Sequence, residues 1–267
     1  MYVNIEFFSY FACAAAFSIL SALIALGGRG GKHRKILLAA TISTALWSGS
    51  AALAPWVGIS GAVFALLELV RTSSWVLVAY SVLDARMEKS ESQPYRFLVF
   101  GLGGLGALLT CLIVVDAYFS FLPESLATVG QSALGGTRVI LAVIGLILVE
   151  NIFRNADSEK RWALKYICFG VAVIFGYDFL LHADSVLFLR LDDALFGARG
   201  FINALAAPLI AVGVSRFASW DMDLHVSRRV VFHSAALLGS GLYLLGIAGA
   251  GFYLKQFGGN WGQILQI

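Results

Sequence analysis

This chain carries too little charge to cover a water-exposed globule. Of its 267 residues, 13% are Asp, Glu, Lys or Arg, about half the share found in a soluble domain. Cysteine is scarce as well. Cys13, Cys111 and Cys168 all lie inside apolar runs and none forms a CxxC, which argues against a disulfide framework or thiolate metal site and for inert small hydrophobes. No basic block is interleaved with aromatics, so nucleic-acid binding has no electrostatic footprint. GxSxG, HExxH, a Walker-type loop and a DxDxDG loop are all missing, and catalysis has no motif to rest on.

What is abundant is apolar: 59% of the residues are hydrophobic. A helix needs about 20 mainly apolar residues to cross a bilayer. Such runs occupy residues 5–27, 36–56, 59–83, 97–115, 137–153, 162–181, 195–217 and 230–254. The expected fold is therefore all-α, a polytopic transmembrane helical bundle of about eight spans. Val57 and Gly58, after Pro55, are all that separates the second run from the third, which predicts a tight helical hairpin. The fifth run is short, and Arg138 near its start is expected to extend outward along the helix.

Charge alternates between the connections. Fourteen of the nineteen Lys and Arg residues fall in or beside 28–35, 84–96, 154–161 and 215–229. Positive loops mark the cytoplasmic side, so these connections are expected inside and the amino terminus outside. The first run agrees: no basic residue precedes it and positive charges follow it, the reverse of an ordinary signal peptide. Eight spans would return the chain to the outside, and apolar character rises again over residues 263–267. A ninth helix is expected to follow.

Two polar groups stand out against the apolar background. Glu68 and Arg71 lie three apart well inside the third run and so share a helix face. A charge at the bilayer centre costs about 2.5–3.5 kcal/mol on insertion scales, and an i,i+3 pair offsets part of that cost. They are a candidate coupling pair, or else a buried ion pair that pins helix packing. The second group is expected at the outer face: Asp116, Glu124, Asp178, His182, Asp184, Arg190, Asp192, Asp193 and Arg199, with Tyr177 and Phe188 beside them. Asp178, His182, Asp184, Arg190 and Arg199 are its candidate sensing residues. Solvated loop residues are the plainer reading, and His182 with Asp184 is too sparse a pair for a metal site, which wants three or four ligands.

Gly101-Leu102-Gly103-Gly104-Leu105-Gly106 satisfies GxGxxG. It sits inside an apolar run rather than between a strand and a helix, so close helix packing explains it better than nucleotide binding. Gly239, Gly241, Gly246, Gly249 and Gly251 fit the same reading in the last run. His225 and His233 flank the start of that run, and neither is followed by an acidic residue as a phosphoacceptor would be.

Several stretches of the second half belong together: residues 148–154 (LVENIFR), 161–166 (RWALKY), 176–178 (GYD), 198–204 (ARGFINA) with Pro208, Ser215-Arg216 with Trp220, 227–234 (SRRVVFHS) and 258–262 (GGNWG). Together they resemble the amino-terminal membrane region of the histidine kinase of the exosortase/PEP-CTERM protein-sorting system. The resemblance is strongest from about Leu148 to Gly262; earlier it rests on hydropathy and helix order. It implies a signal-input domain in a bacterial cytoplasmic (inner) membrane. Such kinases continue through a further helix into GAF-like and kinase segments, so ATP and magnesium, homodimerisation and a response regulator belong to that continuation. For the residues in hand it implies no cofactor, no metal and no partner but the lipid bilayer. A small-solute transporter or channel is the alternative, although the halves show no convincing repeat.

Overall fold

The computed structural model describes residues 5–27, 31–84, 124–154, 158–188 and 190–216, together with 100, 101, 103, 104, 106–108, 110, 111, 114 and 115. Among them every regular element is helical. Six long helices are present: α1 (Ile5–Leu26), α2 (Lys32–Val57), α3 (Gly61–Asp84), α4 (Glu124–Arg154), α5 (Ser158–Phe188) and α6 (Asp193–Arg216). Each contains a stretch long and apolar enough to cross a membrane.

Local chemistry fixes where these helices start and stop. Pro55 lies in the last turn of α2, and Gly58 follows in the left-handed conformation (φ 66°) with its N–H on the Ala54 carbonyl. A residue with a Cβ adopts that conformation at a cost, so Gly58 makes the predicted hairpin tight. Ser60 immediately precedes α3, its carbonyl accepting from the Phe64 N–H at 3.1 Å. Asp192 caps α6, where Oδ1 accepts the Ala194 and Leu195 N–H groups at 3.0 Å each, satisfying donors that the first turn leaves open. Arg34 of α2 reaches back to the end of α1 and donates to the Ile24 and Ala25 carbonyls at 3.0 and 2.7 Å. A cation there also suits the negative end of the helix dipole.

The helices pack in chain order as a closed ring: α1 on α2, α2 on α3, α3 on α4, α4 on α5, α5 on α6, and α6 back on α1. Side-chain pairs give the directions. Tyr10 meets Phe196, so the starts of α1 and α6 lie together. Trp75 Nε1 donates to Thr44 Oγ1 at 2.9 Å between antiparallel α2 and α3. Gly145 faces Phe175 and Gly135 faces Val186, which sets α4 antiparallel to α5. As a result Lys32, Arg34, Lys35, Arg154, Lys165 and Arg216 gather at one end of the ring, with Ser60, Arg190 and Asp192 at the other.

The ring is apolar outside and partly ionised inside, the reverse of a water-soluble fold. Ile19, Leu46 and Phe169 are about 60% exposed, at 63%, 59% and 62%, whereas Glu68, Arg71, Asp178, His182, Arg199 and Asn203 are buried. A surface of that kind is at home against acyl chains. Several serine and threonine hydroxyls are satisfied within their own helix. Those of Ser21, Thr44 and Ser48 each donate to the carbonyl four residues back at 2.7 Å, so these three donors need no water.

The structure extends two of the expected runs. The run placed at 137–153 belongs to a helix that begins at Glu124, and the run ended at residue 181 continues to Phe188. His182 and Asp184 therefore lie on α5 and not in a loop. Of the run 97–115 only part is described, and that part is helical. There Gly106 packs on Leu69 of α3 and on Thr137 and Leu141 of α4, as expected of a small residue at a helix contact. The run 230–254, His225, His233, Asp116 and the side chain of Glu124 lie outside the described residues, as do Trp220 and residues 227–234 and 258–262.

Candidate functional site

The interior of the ring holds an ion network built from α3, α4, α5 and α6. Glu68 and Arg71 stand one turn apart on α3, each turned toward a partner on another helix. Among the described residues Glu68 pairs with Arg199, Arg138 and His182, and Arg71 pairs with Asp178. Neutralisation is thus across helices and not along α3.

Arg199 of α6 is the hub. Its Nη1 donates to Glu68 Oε1 at 2.6 Å, while Nε and Nη2 both donate to Asp178 Oδ1, at 2.9 and 2.7 Å. One guanidinium so joins α3, α5 and α6 through charge-assisted bonds, which are the strong kind. Arg71 uses Nη1 on Asp178 Oδ2 at 2.9 Å and Nη2 on Asn203 Oδ1 at 2.7 Å. Asn203 is held in turn by its Nδ2 donating to the Arg199 carbonyl at 2.8 Å. Glu68 is completed by His182 Nε2 at 3.3 Å and by Arg138 Nη2 at 3.3 Å.

Helical rise explains why these residues meet. At 1.5 Å per residue, Glu68, His182 and Arg199 lie about 10 Å from the end of the ring that carries Ser60. Arg71, Asp178 and Asn203 lie about one turn deeper. The network thus has two layers, with Arg199 and Asp178 spanning both. Trp47 of α2 packs against it, with the Arg71 and Arg199 guanidinium carbons 4.3 and 4.7 Å from its ring centroid. The indole face offers both cations a counter-surface without water. Tyr10 of α1 meets the same indole edge-on at 5.3 Å, and its hydroxyl donates to the Phe196 carbonyl at 3.0 Å. All six helices thereby contribute.

A cavity of about 590 Å³ opens beside the upper layer, within the range of small-molecule sites. Glu68, Arg138, His182 and Arg199 form its charged side, and Phe64, Leu134, Leu181 and Phe196 are among its apolar walls. Ser60 and Leu191, at the end of the ring opposite the basic cluster, also line it.

The structure brings together Glu68, Arg71, Asp178, His182 and Arg199. Asp184 stays apart, half-buried, with Oδ2 lacking a hydrogen-bond partner among the described residues. Arg190 is exposed and 4.0 Å from Asp192. Four further members are Arg138, Asn203, Trp47 and Tyr10. Arg138 had its signal, a cation inside an apolar run, but its expected outward course is replaced by the contact to Glu68, which leaves its side chain 27% exposed. Asn203 lies one turn beyond Arg199 in the 198–204 stretch and was legible as a polar residue on the same face. Nothing in the local sequence distinguishes Trp47 or Tyr10 from other membrane aromatics.

Fold and site together define a multi-pass helical membrane bundle with an ionised, cavity-bearing interior. No protein family, no curated protein and no solved structure matches the chain.

Proposed function

We propose that this chain is the membrane-embedded signal-input region of a two-component sensor histidine kinase, of the kind linked to PEP-CTERM/exosortase protein sorting. It would cross a bacterial cytoplasmic membrane eight times with its amino terminus outside. The observation that carries an input role is the network itself: Arg199 and Arg71 tie α3, α5 and α6 through Glu68, Asp178 and Asn203, directly beside a cavity. Ionisable groups within a membrane are costly and mark functional sites by default. A ligand or field that re-pairs one member must shift the helices carrying the others, because one guanidinium serves several of them. The gathering of basic residues at the end opposite the cavity supports the orientation, since such ends face the cytoplasm. The kinase assignment rests on the sequence resemblance. ATP, magnesium, dimerisation and the response regulator would act through a cytoplasmic kinase module.

The test is autophosphorylation of the region joined to its kinase module. Glu68→Gln, Arg71→Gln and Asp178→Asn are expected to change basal or stimulated phosphorylation at least several-fold in membranes. Wild-type rates in all three would remove the network from signalling. The cavity also suits a small-solute transporter, for which interior charges beside a hollow are the usual site. Saturable solute uptake by the purified chain in liposomes would favour that second reading.

A further inference from the structure

The network is not electrically balanced. Among the described residues three arginines, Arg71, Arg138 and Arg199, face two carboxylates, Glu68 and Asp178, and with His182 neutral one positive charge is left over. The contacts show which arginine is held most loosely. Both Asp178 oxygens are taken by Arg71 and Arg199, and Glu68 Oε1 by Arg199 and His182. Among the described residues Arg138 pairs with Glu68 Oε2 alone, at 3.3 Å, whereas Arg71 adds to its 2.9 Å pair with Asp178 a 2.7 Å bond to Asn203, so Arg138 is the more loosely held. It is also the one arginine of the three with appreciable exposure, at 27%, and it lines the cavity. The most loosely held cation of the network thus borders the cavity.

We propose that the cavity binds an apolar monocarboxylate, its carboxylate paired with Arg138 and its body against Phe64, Leu134, Leu181 and Phe196. The proposal rests on reading this cavity as the input site. Charge sets the first half of the ligand: one surplus positive charge calls for one negative charge, so a phosphate dianion would overcompensate. The guanidinium fork matches two coplanar carboxylate oxygens in a way a point anion does not. The walls set the second half. Aromatic and aliphatic side chains give nothing to a small hydrated anion and favour a hydrocarbon or aromatic body. Ligand binding would then draw Arg138 away from Glu68, and the freed carboxylate is already held by Arg199, the hub to α5 and α6.

Two sources supply this chemistry, fatty acids in the membrane and aromatic acids in water. Binding of radiolabelled decanoate and of radiolabelled benzoate to the whole chain in lipid nanodiscs separates them, with empty nanodiscs as blank. Saturable binding of decanoate alone would assign a membrane-borne acid and of benzoate alone a water-borne one; either upholds the site. 1-Decanol and decyltrimethylammonium, which share the tail but not the charge, are expected not to compete. Arg138→Gln is expected to weaken binding at least ten-fold. Ala65→Phe, which fills the half-buried wall of the cavity and leaves every charge in place, is expected to do the same and covers the case in which the arginine variant fails to fold. No saturable binding of either acid, displacement by decanol, or unchanged affinity in a folded Arg138→Gln chain would overturn the proposal. The kinase assay fails independently: decanoate bound with phosphorylation indifferent to the charge variants sinks signalling alone, and altered phosphorylation with no acid bound sinks this ligand alone.

Discussion

Arg199 and Glu68, 131 residues apart in the chain, are joined by the shortest hydrogen bond of the ion network, 2.6 Å from Nη1 to Oε1. Both side chains are nearly inaccessible, at 1% and 5% exposure. Breaking a buried pair leaves its survivor uncompensated in a medium of low dielectric, which costs about 3–5 kcal/mol, whereas replacing both partners costs far less. Glu68→Gln and Arg199→Met are each expected to destabilise the chain by about that amount. The charge-neutral double variant should lose clearly less than the sum, with a coupling of about 1–3 kcal/mol. Denaturant unfolding in detergent micelles measures the cycle, and strict additivity would mean the pair contributes no mutual stabilisation.

Trp47 supports two arginines at once, and its removal should be felt through both. Trp47→Ala is expected to cost about 3–5 kcal/mol from the void alone, with about 0.5–2 kcal/mol more for each lost cation–π contact. Trp47→Phe keeps an aromatic face and should lose much less. A thermal melt that ranks Phe no better than Ala would assign the residue to space-filling only.

Helix α6 approaches α1 so closely that a Cβ at Gly200 would lie 2.5 Å from the Ser9 backbone, while a Cβ at Gly49 would meet nothing within 4 Å. Alanine should therefore act with opposite sign at the two helical positions. Gly200→Ala must part the helices, a loss of about 1–3 kcal/mol. Gly49→Ala gains about 0.5–1 kcal/mol of helix propensity. The unfolding midpoints of the two variants check this, and a neutral Gly200→Ala would contradict the packing of α1 on α6.

The proposed orientation has a direct readout. In a background with Cys13, Cys111 and Cys168 replaced by serine, Ser60→Cys should react with a membrane-impermeant maleimide added to intact cells. Lys32→Cys should react only after the membrane is opened. The converse pattern would invert the bundle.

The spans were legible because membrane insertion is decided locally. About 20 apolar residues in a row carry their own solvation free energy wherever they sit, and the Pro55–Gly58 turn needs only its own backbone. Helix ends were less so: the 162–181 run stopped at His182 because a charge-bearing side chain is favourable in water and unfavourable in lipid, and sequence does not say which surrounds it. On α5 it is neither, since Glu68 of α3 stands 3.3 Å away.

Composition and the spacing of apolar runs alone determined that this is a membrane-spanning helical protein and that Glu68 and Arg71 share one face. Only the tertiary structure decided that these two face different partners, that Arg138 turns inward, and that Asp178, His182 and Arg199 leave the surface to join them. The physical reason is range. Hydropathy is a property of consecutive residues, whereas an ion pair in a low dielectric is set by whichever helix the ring happens to bring within about 3 Å, and Arg71, Asp178 and Asn203 are brought together from positions more than a hundred residues apart for the two bonds of Arg71.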